Sequence, residues 1–367
     1  MIIRKKGTFA ALAIAFFTLF APQLAGNPTD FLRGKVHFID KRNLSLEQKL
    51  QLAGREFKKL KSGNYFMVGY IFRCWYKIKI DGCFSSREPY RVKHEKGKII
   101  ISSSEGKRSF SHGEEEKADV GLLLMNKIEG RNITVTDAEL IDPDNTYQFE
   151  TPPLFWLGKT GTKESMEYLQ RVFDKEDMGI RKHLVFIISL HDSPERYDFL
   201  KRTALSDGDE SIRKNAVFWL GNYRDKKSFI YLKDMMNKLR SAELKKQVVF
   251  ALYLSDLKEA VKELARIARN DGIPQVRKNA IFWLGQKAST ECVKALKDVV
   301  EREDDLKLKK QAVFAISQLP KEKSVPLLID IARTNRSQEV RKNAIFWLSQ
   351  SGDSRAVKFF EEILLKK

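Results

Sequence analysis

From about residue 160 onward the apolar positions of this chain recur on a fixed interval. The phrase Val-Arg-Lys-Asn-Ala-Ile-Phe-Trp-Leu at 340–348 has close copies at 276–284 and 212–220, each 64 residues from the next. A second phrase, built on Lys-Lys-Gln followed by Val-Phe-Ala, stands midway at 244–252 and 308–316, and a fainter member occupies 180–188. The period is therefore 32 residues, with two alternating flavours. Within each phrase the apolar residues fall at relative positions 0, 4, 5 and 8, as in Ile212, Ala216, Val217 and Leu220, which is one face of an α-helix. The stretches between the phrases keep the same register: Leu232, Leu264, Leu296, Leu328 and Phe360 form one row, and Phe229, Val261, Val293, Val325 and Val357 another.

Two in-register helical faces per period predict paired helices that bury their apolar sides only by stacking on the next pair. The spacing puts the second helix of each pair at 178–190, 209–221, 242–254, 274–286, 305–318 and 338–349, with a last helix from 353 towards 365. The fold class is mainly α, a solenoid of about six helix pairs. Phe218, Phe250, Phe282, Phe314 and Phe346 add an aromatic column whose following residue alternates Trp, Ala, Trp, Ala, Trp. That alternation predicts large-to-small interlocking between successive units.

The pattern before residue 150 is different. Ser45 and Gln48 form a capping box, Leu46, Leu50, Ala53, Phe57 and Leu60 repeat at helical spacing, and Gly63 stands as a stop signal. The run at 64–72 is aromatic and β-branched, Tyr76, Ile78 and Ile80 alternate with Lys77 and Lys79, and 98–103 and 132–140 have the same character. Residues 120–128 fit a strand or a short helix, and 107–117 read as an exposed loop. These features predict a small α+β domain over 44–150, one helix with an antiparallel sheet, preceded by a linker at 26–43. Thr-Pro-Pro-Leu-Phe-Trp-Leu-Gly at 151–158 reads as a degenerate first solenoid unit, which opens a repeat domain at 151–367.

At the N-terminus Arg4, Lys5 and Lys6 precede an uncharged run from 9 to 20, then Pro22, Ala25 and Gly26. This predicts a signal peptide over 1–25, cut after Ala25, and a periplasmic or extracellular address, with an uncleaved membrane anchor as the alternative.

Charge narrows the functional classes. Lys and Arg number 67 against 48 Asp and Glu, a net charge of +19, which favours polyanionic partners. Much of the excess sits in one recurring place: Arg181-Lys182, Arg213-Lys214, Lys245-Lys246, Arg277-Lys278, Lys309-Lys310 and Arg341-Lys342. These pairs lie in the first turn of their helices, where the helix dipole disfavours cations by about 0.3–1 kcal/mol each, so a compensating group is expected. Asp234, Asp298, Asp330 and Glu362 share one 32-spaced position, broken by Arg266, and are the expected acceptors. Glu210, Glu243 and Glu339 stand three residues before Arg213, Lys246 and Lys342 and are further candidates. One member of each basic pair is expected to be consumed internally and the other to face solvent. Beside them Asn215, Gln247, Asn279, Gln311 and Asn343 make an amide column suited to an extended peptide backbone or to neighbouring turns.

Catalytic signals are sparse. His37, His94, His112, His183 and His191 are scattered, and no phosphate loop, nucleophile elbow or metal-ligand spacing is present, so no cofactor, metal or small-molecule substrate is expected. Three cysteines are too few for a disulfide scaffold; Cys292 reads as a core residue. A bridge between Cys74 and Cys83 is conceivable in an exported protein, but a hairpin turn at Asp81-Gly82 would place Ile80, not Cys74, opposite Cys83.

The helix Arg-Lys-Asn-Ala-Ile-Phe-Trp-Leu at 341–348, with Ser-Gln-Ser-Gly-Asp at 349–353 and Ala-Val-Lys-Phe-Phe-Glu-Glu-Ile at 356–363, resembles the HEAT-repeat family. More narrowly, it is similar to exported bacterial HEAT-repeat proteins of unassigned function. The resemblance implies a right-handed α-solenoid that binds partners, stabilised by Asp–Arg ladders, and it implies no chemistry. A protein or extended peptide is then the expected partner, followed by an anionic envelope polymer or membrane surface. Nucleic acid, as bound by HEAT-like DNA glycosylases, is the alternative should the N-terminal run not be an export signal.

Overall fold

A computed structural model describes residues 31–75, 93–95, 98–100 and 117–365, apart from the single positions 40, 42, 177, 256 and 288. The signal-peptide reading with its cut after Ala25, the turn at 81–82, Cys83 and most of the loop at 107–117 lie outside the described residues. So does the Cys74–Cys83 bridge, of which only Cys74, buried in a strand, is described.

The N-terminal part consists of β1 (Leu32–Phe38), α1 (Leu46–Leu60), β2 (Tyr65–Cys74), β3 (Lys93–Glu95), β4 (Lys98–Ile100), β5 (Ala118–Glu129), β6 (Asn132–Ile141) and β7 (Thr146–Lys159). They form one sheet in the order β3-β4-β7-β2-β5-β6, with β1 also on β7. Residues 120–128 resolve as strand, paired antiparallel with all of β2 on one side and with β6 on the other. The capping box of α1 is formed in both directions, and the helix ends just before Gly63, at Lys61, which takes the left-handed conformation.

Three expectations are corrected here. The sheet is mixed, because β7 runs parallel to β1, β2 and β4; α1 provides the long crossover that lets β1 and β2 point the same way. The segment at 26–43 holds β1, a strand whose side chains mostly face solvent, so its sequence carries no alternation to read. Residues 151–158 belong to β7, where Leu154, Phe155, Trp156 and Leu157 are all buried, and the echo of Trp-Leu-Gly is coincidental. The register between β1 and β7 jumps beside Pro152 and Pro153, which have no N–H for a ladder.

Both faces of this sheet are covered. On one, Phe57 of α1 stacks on Phe66 at 4.8 Å and Phe155 meets Phe66 edge-on at 5.8 Å. This cluster runs without a break into the helical part. On the other, Leu32, Leu123, Met125, Tyr147, Phe149 and Trp156 form a separate cluster.

The helical part runs α2 (Thr162–Lys175), α3 (Met178–Leu190), α4 (Glu195–Ser206), α5 (Glu210–Asn222), α6 (Lys226–Lys238), α7 (Ala242–Leu254), α8 (Lys258–Asn270), α9 (Pro274–Gln286), α10 (Thr290–Arg302), α11 (Leu306–Ser317), α12 (Lys321–Thr334), α13 (Gln338–Ser349) and α14 (Ser354–Leu365). The six second helices fall within one residue of their predicted ends. Their starts are fixed by side-chain caps such as Asp209, Ser241, Asp305 and Ser337, or by Pro274 in the first turn.

Second helices pack on one another in series, through two alternating kinds of seam. At α3/α5, α7/α9 and α11/α13 a tryptophan lies against the preceding helix's phenylalanine: Phe186–Trp219 at 4.6 Å, Phe250–Trp283 at 4.9 Å and Phe314–Trp347 at 5.0 Å. At α5/α7 and α9/α11 the backbones close on glycine and alanine instead. A Cβ on Gly221 would sit 2.5 Å from that of Ala251, and one on Gly285 would sit 2.9 Å from that of Ala315. The 64-residue interval of the sequence is this alternation.

Candidate binding surface

The two residues of each basic pair part company at the helix start. The first member turns back towards the end of the neighbouring first helix. Arg213 donates to the carbonyls of Ala204 (2.9 Å) and Leu205 (3.2 Å) in the last turn of α4. Arg341 donates to those of Asn335 (2.7 Å) and Arg336 (3.1 Å). Arg181 donates to Phe173 O (3.1 Å) and to Asp207, Lys245 to Asp271 at 2.8 Å, and Arg277 to Glu303 at 3.3 Å. The end of an α-helix offers orphan carbonyls and negative dipole, which offsets the unfavourable place of the cation at the start of its own helix. Lys309 is half-buried in the corresponding place.

The expected acceptors are corrected. Asp234, Asp298, Asp330 and Glu362 do form a ladder, but with cations of the first-helix layer: Lys201–Asp234 at 3.0 Å, Arg269–Asp298 at 3.1 Å, Lys297–Asp330 at 2.9 Å, and Arg333–Glu362. Arg266, which interrupts that row, pairs with the buried Glu263 of its own helix. The acids that receive the basic column are Asp207, Asp271 and Glu303, which also stand in 32-residue register at the ends of α4, α8 and α10.

The second members lie on the open face of the second-helix layer, away from the first helices. Lys214 is held by Glu210 at 2.8 Å, which raises its pKa, and Lys246 by Glu243 at 2.5 Å. Glu339 receives Lys310 at 2.9 Å and lies 3.7 Å from Lys342, and Lys310 above all holds its carboxyl below the usual range. Lys182 and Lys278 are exposed and have no ion-pair partner among the described residues. In the amide column, Asn215 donates to Lys182 O at 3.5 Å, while the buried side-chain oxygens of Asn279 and Asn343 have no donor. Gln247 and Gln311 are half-buried beside them. His183, in the equivalent place, instead faces Asp137 of β6 at 3.7 Å.

A second polar cluster joins the sheet to the first solenoid unit, and no spacing in the sequence announces it, because three elements supply it. His191 Nδ1 faces the Ile187 carbonyl at 2.9 Å; a carbonyl only accepts, so Nδ1 carries the proton. Nε2 then accepts from Ser165 Oγ at 2.8 Å, and the Tyr70 hydroxyl completes the chain 3.0 Å from Ser165. Phe72 stacks on the imidazole at 4.0 Å. All these side chains are buried, and burial pushes the His191 pKa down to about 4. A serine beside a histidine is the start of a nucleophile–base pair, but here the third group is a carbonyl rather than a carboxylate and solvent does not reach the hydroxyl. The cluster ties β2 to the turn after α3, alongside the backbone bonds from Trp75 N to Leu190 O (3.1 Å) and from Asp192 N to Arg73 O (3.0 Å). Arg196 extends it, donating to His191 O at 3.0 Å and lying 5.2 Å from the Trp75 ring and 4.8 Å from that of Tyr223.

Residues 261–348 and 293–367 match the family model described as HEAT repeats. The helical array is a HEAT-repeat solenoid. Similar solved structures include human deoxyhypusine hydroxylase in complex with glycerol, at 13% identity over 56% of this chain and 91% of that one, with a TM-score of 0.30. They include AlkD2 from Streptococcus mutans, at 15% identity over 53% and 100%, with a TM-score of 0.37. The CpcE–CpcF complex of phycocyanin lyase from Nostoc sp. PCC7120 is similar at 17% identity over 54% and 79%, with a TM-score of 0.30. No curated protein matches the chain. Among the described residues the HEAT solenoid and its sheet domain hold no helix long and apolar enough to cross a membrane, and no group of three or more His, Cys, Asp or Glu side chains placed to hold a metal ion.

Proposed function

We propose that this protein is a non-enzymatic binding scaffold, exported to the periplasm or beyond, whose HEAT solenoid holds a protein or an anionic envelope partner on the open face of its second helices. The observation that carries the reading is the division of labour within the basic pairs. One cation of most pairs is spent on the ends of the first helices or on the acids there, while the other stands on a face where Lys182 and Lys278 have no acid of their own among the described residues. A face of lysines, amides and phenylalanines suits a partner with anionic and apolar groups. The sheet domain serves as the fixed N-terminal end of the stack, through the His191 cluster.

The net charge of +19 favours a second reading, a nucleic-acid-binding HEAT protein. Fractionation of expressing cells with sequencing of the mature N-terminus tests the export part, which full-length protein in the cytoplasm would overturn. Titration with duplex DNA at several salt concentrations tests the second reading: a steep fall of log affinity with log salt supports several phosphate contacts, and weak binding with a flat slope removes them.

A further inference from the structure

The alternation of helix flavours shapes the open face as well as the stack. Trp283 and Trp347 lie against Phe250 and Phe314 of the helix before and leave those rings half-buried. Between α9 and α11 the contact is Gly285 against Ala315, too small to cover Phe282, and among the described residues no further second helix packs after α13 to cover Phe346. Phe282 and Phe346 therefore remain 38% and 52% exposed. Each stands four residues after an exposed lysine, Lys278 or Lys342, one helical turn away on the same side. At the third equivalent place the subsite is closed, since Phe218 stacks on Phe250 at 6.4 Å and Lys214 is held by Glu210.

Helices α9 and α13 thus present the same lysine–phenylalanine subsite twice, two units apart, with Lys310 of α11 between them. Glu339 is the acid that faces this stretch, shared by Lys310 and Lys342. Packed helices lie about 8–10 Å apart, so the two subsites are separated by about 16–20 Å. An extended polypeptide rises about 3.3 Å per residue and covers that distance in about five or six residues. Side chains alternate along such a chain, so the even spacing of six returns to the same side. Lysines call for carboxylates and the exposed rings for large apolar side chains. An acidic polypeptide supplies both along one extended chain, whereas the sugar–phosphate backbone of DNA supplies the anions alone.

Building on the scaffold reading above, we infer that α9 and α13 bind an extended acidic polypeptide segment carrying two large apolar side chains six residues apart. The test titrates the full chain, by calorimetry, with Asp/Glu-rich peptides of about fourteen residues, long enough to span both subsites when extended. One peptide has two phenylalanines six residues apart, one has them three apart, one has serines in their place, and a thymidine oligonucleotide of equal charge is the fourth ligand. The six-spaced peptide binds about tenfold more tightly than the others, the size of a lost interface anchor. The pair Lys278→Glu with Lys342→Glu, and separately Phe282→Ser with Phe346→Ser, each lose about tenfold with unchanged circular dichroism. Lys233→Glu, exposed on α6, loses nothing. Equal affinity for the three peptides, still lost in the lysine variant, overturns the spaced ligand and leaves the scaffold reading standing. Binding indifferent to both double variants overturns the open face itself, and with it the reading on which this inference rests. Absence of peptide binding, or tighter binding of the oligonucleotide, overturns the polypeptide ligand.

Discussion

The two helix layers of the solenoid carry charges on the same 32-residue register and use them in opposite ways. In the first-helix layer each acid of the row Asp234, Asp298, Asp330 and Glu362 meets a cation of the neighbouring first helix, so the layer cancels its charge along its own surface. In the second-helix layer the cations come in adjacent pairs, one turned inward to helix ends and one left outside, with too few acids to balance them. A charge ladder of the first kind ties units together, and a divided pair of the second kind ties units together while leaving a surplus on one face. The surplus, rather than the repeat itself, makes that face a candidate for binding.

The strongest way to break this arrangement is through the seams of the second-helix layer. Gly285→Leu adds a side chain whose first carbon already lies 2.9 Å from Ala315 Cβ, so the two helices must separate along their length. Overpacking of this kind costs about 3 kcal/mol or more, and the denaturant midpoint falls accordingly. A Gly285→Leu variant as stable as the parent would mean that the α9/α11 seam is not closed in the way described.

Next comes the inward member of a basic pair against its neighbour. Arg277→Met leaves Glu303, 7% exposed, without its cation, although the backbone N–H groups of Asp304 and Asp305 still reach it at 3.0 Å. The expected loss is about 2 kcal/mol, below the figure for breaking a fully buried pair because the arginine keeps some contact with solvent. Lys278→Met, one residue on, shifts stability by less than about 0.5 kcal/mol. Equal losses from the two substitutions would erase the distinction between inward and outward members.

Where the second-helix layer meets the sheet, stability depends on pH. His191 is held neutral, with a folded pKa of about 4 against 6.5 unfolded, so between these values the unfolded chain binds the proton and the folded chain does not. Stability is therefore complete above about pH 6.5 and declines as pH falls towards 4, by about 1.4 kcal/mol per unit. Between pH 7.5 and pH 5 the loss is about 2 kcal/mol, and His191→Gln, which cannot be charged, flattens that slope. An unchanged slope in the His191→Gln variant would assign the acid sensitivity to other groups.

Much of this architecture is legible in the sequence because the repeat is nearly exact. A 32-residue register places every second helix to within a residue, and the Trp/Ala alternation after the phenylalanine column announces the two seams. The basic pairs are legible as a column, but not the partners of their inward members. That depends on how the turn carries Asp207, Asp271 and Glu303 past the next helix start, a matter of chain reach that identical spacing leaves open. In the N-terminal part the signals fail for physical reasons. The side chains of β1 face water and its place is set by backbone pairing with β7, while β7 is apolar on both sides and reads as easily as a solenoid segment. The His191 cluster draws Tyr70, Ser165 and His191 from positions with no common spacing, and its lowered pKa comes from burial, which composition does not reveal.

The smallest expected effect of breaking an ion pair belongs to the first-helix layer, and it separates the two layers most cleanly. Arg333 and Glu362 pair across α12 and α14 with both side chains about half exposed. In that setting the Coulomb gain is screened by water and offset by the ordering of two long side chains, so Arg333→Ala changes stability by about 0.5 kcal/mol at low salt. The difference shrinks as salt rises past about 0.15 M, where the screening length falls to about 8 Å. Arg277→Met, whose partner is mostly buried, keeps most of its cost across the same salt range. Measuring both variants at low and high ionic strength therefore distinguishes a surface ladder from an inward tie. A salt-independent loss at Arg333 matching that at Arg277 would mean that the two layers use their charges alike.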